Sequence, residues 1–411
     1  MLKFALTSLY KYGPVWIGVL LLLAAGPALG AEKQWDDIVA EARGQTVDWF
    51  MWGGSPAVNA YVNGYVAQQL NAQYGITLRQ GPVKDIAEVV GKLVIEKQAG
   101  RASGGNVDLM WINGENFRTC KRNNLLYGPF ADRLPNQQLV NGNNPSVAND
   151  FGEPVEGMES PWGSAQMVMI YDTARLPQPP RTVGDLLKWI KDHPGRFAYP
   201  APPDFTGSVF VRHIFYHAAG DVLRWQGAFD QAAFDRAASE TYRVLRDLSP
   251  FLWRQGQTFP ESPVRMNTLF ADGEVDFSFS YHQAEASRNI IDGLFPDTVR
   301  TYVFEEGTIA NTHFVAIPFN ASDKAGAMVV ANFLLSPEAQ FNKADPDVWG
   351  DFPAIDPSRL PAEWQERFKQ QARGIATLSD AELQSHQLPE PPSEILIQLE
   401  KGWEQHVLKG R

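Results

Sequence analysis

The stretch TVDWFMWGGSPAVNAYVNGYVAQQLNAQYGITLR, Thr46 to Arg79, decides the fold class. Thr46 to Met51 is an apolar run bounded by turn signals, as a buried strand should be. Trp52-Gly53-Gly54-Ser55-Pro56 follows, with Ser55 suited to cap a helix and Pro56 to its first position. Val58, Tyr61, Val62, Tyr65, Val66 and Leu70 then recur at helical spacing, and Gly75 ends the helix. A second strand, Ile76 to Arg79, starts at once. The alternation continues with a helix from Asp85 that carries Ile86, Val89, Val90, Leu93 and Val94 on one stripe. A third strand, Val107 to Ile112, runs into Asn113-Gly114-Glu115-Asn116 and a short helix. Strands alternating with helices predict an α/β fold with a parallel, doubly wound sheet.

Further along, Trp162 to Tyr171 reads as one long strand. Thr182 and Asp185 form a capping box for a helix from Val183 to Lys191. Phe197 to Pro200 reads as a short strand, and Asp204 to Ser208 leads into an aromatic helix. A helix ending at Leu269 to Gly273 precedes the strand Val275 to Ser280, which completes a second α/β unit. Thr312 to Phe319 is a late strand, and Ser336-Pro337-Glu338 caps a late helix. There is no internal repeat.

The first thirty residues read as an export signal: Lys3 and Lys11, an apolar run from Val15 to Ala25, then Ala28 and Gly30 placed for cleavage before Ala31. The chain carries a net charge of −11, and loss of Lys3 and Lys11 makes it −13. An acidic chain with no basic run argues against nucleic acid and anionic membrane surfaces. Cys120 is the one cysteine, so no intramolecular disulfide exists, and an exported chain of this kind depends on large cores. No cysteine stands at the cleavage site to take a lipid, which points to the free periplasm of a Gram-negative cell.

Several motifs, in their order along the chain, carry a family likeness. They are WGSAQMVMIYD (Trp162–Asp172), PPRTVGDLLKWIKDHPGRFAYPAPPDFTGS (Pro179–Ser208), LFADGEVDFSFS (Leu269–Ser280) and THFVAIPFNASDKAGAMVVANFLLSPEAQ (Thr312–Gln340). The set resembles the family 1 extracellular solute-binding proteins, the receptors of ABC importers. Within that family it is most similar to the YnjB-type branch and, more distantly, to the thiamine-binding type. The resemblance implies a two-lobed periplasmic-binding-protein fold of type II, each lobe a doubly wound sheet flanked by helices, with hinge strands between lobes that close on ligand. It places one lobe at 32–163 plus 305–345 and the other at 164–304 plus 346–411, with crossings at Trp162 to Tyr171, near Phe304 and near Asp351. It implies a receptor, not an enzyme, that binds one small molecule, delivers it to permease subunits, uses no cofactor and works as a monomer.

Open α/β sheets bind ligands beyond the carboxyl ends of their strands, at helix N-termini. Four loops qualify. Trp52, Gly53, Gly54 and Ser55 offer a stacking face, close backbone approach and a hydroxyl. Asn113, Glu115 and Asn116 offer amides and a carboxylate for a cationic group. Thr206, Gly207 and Ser208 open a helix toward an anion or carbonyl, and Tyr281 and Gln283 suit a cleft wall. Trp162, at the expected hinge, either reaches the cleft or packs in a core. These residues fit a cationic, zwitterionic or aromatic ligand. His213 and His217 have metal-ligand spacing, but Ile214, Phe215 and Tyr216 between them omit the glutamate of a zincin helix, and a structural pair is expected. The alternatives are an exported carbohydrate-active hydrolase on a two-lobed scaffold, or a metal-binding receptor.

Overall fold

The computed structural model describes residues 33–227 and 229–410, so the export signal expected over the first thirty residues lies outside them. The larger sheet contains β1 (Thr46–Trp52), β2 (Thr77–Val83), β3 (Leu109–Ile112) and β4 (Leu126–Tyr127). A small hairpin follows, β5 (Asn149–Asp150) and β6 (Glu153–Pro154), then β7 (Glu159–Gln166) and β8 (Val168–Asp172). The later strands are β9 (Phe277–Ser280), β10 (Val299–Tyr302), β11 (Thr308–Pro318) and β12 (Gln387–Pro389). β2, β1 and β3 are parallel, and β11 joins β3 antiparallel while also pairing with β4, β7 and β12. The smaller sheet is antiparallel, in the order β10-β8-β9.

Local chemistry explains the entry into the first lobe. Ser55 Oγ accepts from Val58 N, Pro56 begins the helix, and Gly75 closes it at φ 68°. Between those ends the helix loosens into a π-helical turn, Tyr61–Val66. Side chains on β1 alternate between two cores, as the period of a strand demands. Val47, Trp49 and Met51 join Val62, Leu70, Val315 and Val330 on one face. Phe50 packs on the other, with Val90, Leu93, Met110 and Phe117. A separate core covers the smaller sheet, where Met169, Ile170, Phe277 and Phe279 meet Phe197, Phe210 and Trp403. This sheet has no parallel pair, so the doubly wound pattern of the first lobe does not extend to the second.

Three expectations need correction. The run Trp162 to Tyr171 is two strands: the chain leaves the larger sheet at Gln166, Met167 N donates to Ile309 O at 2.9 Å, and β8 continues in the smaller sheet. Residues on both sides of the break are buried, so hydrophobicity alone does not mark it. Phe197 to Pro200 makes no ladder; Phe197 and Tyr199 are core aromatics on an irregular segment, and Phe197 O accepts from Trp253 N at 2.8 Å. Trp349, Ile355, Leu360 and Phe368 pack in the first core, so the chain stays with the first lobe beyond the crossing expected near Asp351. It reaches the second core at Ala376. Gln166 ties the crossings together, its amide donating to Thr308 Oγ1 at 3.1 Å, Leu383 O at 3.0 Å and His386 O at 3.2 Å.

Candidate functional site

Where the two cores approach each other, the helix Phe205–Ala219 carries Arg212 into a fully buried position. Its guanidinium lies over the rings of Phe151 at 5.6 Å and Phe205 at 5.4 Å. Nη2 donates to Tyr281 Oη at 2.6 Å. Nε stands 3.4 Å from Glu390 Oε2, a charge contact without hydrogen-bond geometry. Glu390 Oε1 accepts from Tyr281 Oη at 2.6 Å and from Asn311 Nδ2 at 2.9 Å. Arg212 Nε and Nη1, Glu390 Oε2 and Asn311 Oδ1 are buried with no hydrogen-bond partner among the described residues. Buried polar groups are nearly always satisfied, so a cluster of unmet ones singles this place out as a candidate site.

Two further carboxylates face this cluster. Glu115 comes from the helix Gly114–Arg122 of the first lobe, and Glu400 from the helix Ser393–Trp403, which packs in the second core through Ile395, Leu399 and Trp403. Burial raises the Glu115 carboxyl against the lowering effects of its own backbone amide and of Arg212. Burial likewise raises Glu390, although Arg212 opposes it, and pushes Glu400 up to about 7. Burial works against the charge on Arg212, but Glu390 and its neighbours outweigh that and keep it protonated. Three carboxyls thus surround one guanidinium. The excess of carboxyls over cations is the chemical character of the site.

The expected residues divide. Glu115, Ser208 and Tyr281 belong to this cluster, Ser208 Oγ donating to Glu400 Oε1 at 2.6 Å. Asn116 Nδ2 donates to Glu115 Oε1 at 3.1 Å, and Asn113 precedes Gly114, whose N donates to Asp150 Oδ2 at 2.7 Å. Thr206 lies in the first turn behind Asp204, which caps Gly207 N at 2.9 Å. Gly207 serves packing, since a Cβ there would sit 1.9 Å from Pro200 O. Gln283 is buried, with Oε1 unpartnered among the described residues. Trp52 is 42% exposed and lays its ring on Gly54, while Gly53 O accepts from Asn59 Nδ2 at 2.9 Å and Ser55 is spent on its cap.

Trp162 is not a wall of the cleft. It is wholly buried among Trp49, Trp111 and Trp349 at ring separations of 5.0, 4.9 and 5.3 Å. His213 and His217 form no pair. His213 Nδ1 meets Val209 O at 2.8 Å while Nε2 accepts from Ile309 N at 3.1 Å, and His217 is exposed. Burial lowers His213 to about 4, which keeps it the neutral acceptor that Ile309 needs. Sequence reasoning missed Arg212, Glu390, Glu400, Asn311 and Phe151. One signal was present: Arg212 is the lone fixed charge in VFVRHIFY, and such a charge in an otherwise apolar buried helix needs partners.

Buried charged groups from both lobes thus meet between the two cores. The chain belongs to the bacterial extracellular solute-binding proteins, whose family model matches residues 65–371. It is 44% identical to Protein YnjB of Escherichia coli (strain K12) over 329 residues, 80% of this chain and 84% of that protein. Among solved structures, it resembles the spermidine/putrescine ABC transporter substrate-binding protein PotD of Streptococcus pneumoniae, with a TM-score of 0.58 and 16% identity, over 87% of this chain and 99% of that one. A periplasmic thiamin binding protein matches with a TM-score of 0.57 and 17% identity, over 88% of this chain and 96% of that one. These likenesses establish the two-lobed fold. Among the described residues, no helix is long and apolar enough to cross a membrane.

Proposed function

We propose that this protein is the periplasmic receptor of an ABC importer, that it seats a small organic cation between its lobes, and that the carboxyls Glu115, Glu390 and Glu400 take the positive charge. The observation that carries the reading is three carboxyls against one buried guanidinium, with Glu390 Oε2 left without a hydrogen bond. In a partly desolvated cleft, that excess favours an incoming cation and disfavours an anion. Phe151, Phe205 and Tyr281 supply aromatic surface beside it, Phe205 and Tyr281 with ring centroids 4.9 Å apart. Spermidine, putrescine and thiamin, the solutes named for two of the structural neighbours, all carry positive charge.

In this reading the first lobe is 33–166 plus 308–370, the second the remainder, and the segments between them flex as ligand is captured. The first thirty residues direct export and are removed. The protein works as a single chain and releases its ligand chemically unchanged to the permease subunits. The test is a thermal-shift screen of the processed chain against polyamines, thiamine, betaines, amino acids, sugars and oxyanions, followed by mass spectrometry of the recovered ligand. Stabilisation by amines or fixed cations, with the ligand intact, supports the reading, because a bound ligand raises stability by mass action. Stabilisation by sugars or oxyanions alone, or conversion of the ligand, contradicts it.

A further inference from the structure

We propose that Glu400 is a ligand-holding carboxyl of the second lobe, and that a cation enters the site in exchange for a proton carried there. The inference rests on the cation-receptor reading above and adds its linkage to pH. The helix Ser393–Trp403 is rooted in the second core but faces the first lobe: Glu394 pairs with Arg118 at 3.2 Å, and Ser393 N donates to Phe151 O at 3.0 Å. Further along this helix, Glu400 accepts from Ser208 of the second lobe and feels the charges of Glu115 and Asp85 of the first, which puts it where a ligand held by both would lie.

The groups around Glu400 leave its charge poorly compensated. Ser208, from the helix Phe205–Ala219, donates one neutral hydrogen bond to it, at 2.6 Å. Arg212, on the same helix, is engaged by Glu390 at 3.4 Å and by Tyr281. From the first lobe, Glu115 and Asp85 add negative charge. On the side of the helix Gln231–Leu248, Tyr242 directs its hydroxyl to the carbonyls of Gln398 and Leu399. Partial burial beside like charges disfavours a third carboxylate, and a proton removes the conflict. Burial, with those neighbours, raises Glu400 to about 7.

An arriving ammonium or fixed cation supplies the missing counter-charge. Glu400 then ionises, its proton passes to solvent, and the carboxylate makes an ionic contact with the ligand. The neighbouring unpartnered oxygen, Glu390 Oε2, buried, is the independent sign that a hydrogen-bond donor or cation completes this cluster. If the free site holds the proton below about pH 7, affinity must rise with pH up to that point and level off above it.

The probes are spermidine and thiamine, titrated calorimetrically into the processed chain and into Glu400→Gln, in buffers of different ionisation enthalpy. The substitution keeps an oxygen for Ser208 and removes the titration. The expected result is release of up to one proton per cation at about pH 6, little at about pH 8, and about a tenfold fall in wild-type affinity per pH unit below 7. Glu400→Gln should bind more weakly at pH 8 and lose that dependence. Binding without proton release, or with the same pH dependence in Glu400→Gln, overturns the exchange and leaves the cation reading standing. Failure of every cationic probe, with binding of a neutral or anionic solute, overturns both. A measurement without ligand gives a separate check. The melting temperature of Glu400→Gln should gain on wild type as pH rises from about 5 to about 8, and a constant gap contradicts a proton on Glu400.

Discussion

The ion pairs Lys343–Asp351 and Arg212–Glu390 are both buried and both lie among aromatic rings, yet they are finished differently. Lys343 Nζ donates to Asp351 Oδ2 at 2.6 Å, to Phe352 O at 3.3 Å and to Trp162 O, so its three protons all have acceptors. Burial alone would raise the Asp351 carboxyl, but Lys343 and His313 beside it hold it below the usual range. Arg212 has one hydrogen bond, to Tyr281, and leaves two nitrogens unmet among the described residues, as Glu390 leaves one oxygen. A satisfied buried pair fixes its surroundings; a half-satisfied one is costly unless another molecule completes it. The first pair ties the segment 351–352 to β7 and belongs to the architecture. The second, in the proposed reading, is completed by the ligand.

The largest expected effect sharpens this contrast. Asp351→Ala strands a buried ammonium and should cost about 3–5 kcal/mol of stability, seen as a lower melting temperature, with affinity lost only as the fold is lost. The double variant Arg212→Met with Glu390→Gln removes both charges together. It should change stability by no more than about 1–2 kcal/mol in either direction, because replacing a poorly satisfied buried pair is often neutral or favourable. Its affinity for the cation should nevertheless fall at least about tenfold, which is about 1.4 kcal/mol. Equal losses of stability in the two experiments would erase the distinction between the pairs.

Smaller effects extend the comparison outward. Trp52, at the end of β1 and 42% exposed, can add stacking only if the ligand reaches it. Trp52→Ala should leave the melting temperature unchanged and weaken binding by about 1–3 kcal/mol if the ring is an anchor. An unchanged affinity confines the ligand to the Arg212 cluster. The pH profiles of the two clusters should also run in opposite directions. The folded protein holds Asp351 below its unfolded value, so that contribution is present above the ordinary carboxylate range and is lost as pH falls through the lowered value. Glu400 is raised, so its effect is absent below about 4.5 and costs stability as pH rises toward 7. Comparing melts of Asp351→Asn and Glu400→Gln with wild type across this range checks both signs.

What the sequence discloses follows the range of the interactions. Ser55 and Pro56, Thr182 and Asp185, and Ser336 with Pro337 each fix a helix start within a few residues, and each stands where the pattern places it. β1 and its helix are legible for the same reason. The break at Met167 is not, because burial continues unbroken from one sheet to the next. Trp162 reads equally as a cleft or a core residue until Trp111 and Trp349, far away in sequence, close around it. The site itself is the least legible part. Ser208 meets Glu400 across 192 residues, and Asn311 meets Glu390 across 79, so no local spacing joins them. Glu115 and Tyr281 follow strand ends, where sequence reasoning looks for a cleft wall; Arg212 lies inside a helix, one full turn beyond the end that such reasoning inspects.

In the proposed reading, the charge cluster between the lobes holds the ligand. A crystal structure of the processed protein with the tightest-binding solute from the screen tests it most directly. The expected result is a cationic nitrogen at hydrogen-bond or ion-pair distance, about 2.7–4 Å, from Glu115, Glu390 or Glu400, with the Arg212 cluster closed around it. A ligand seated away from all three carboxyls, with Arg212 and Glu390 unchanged, would contradict it.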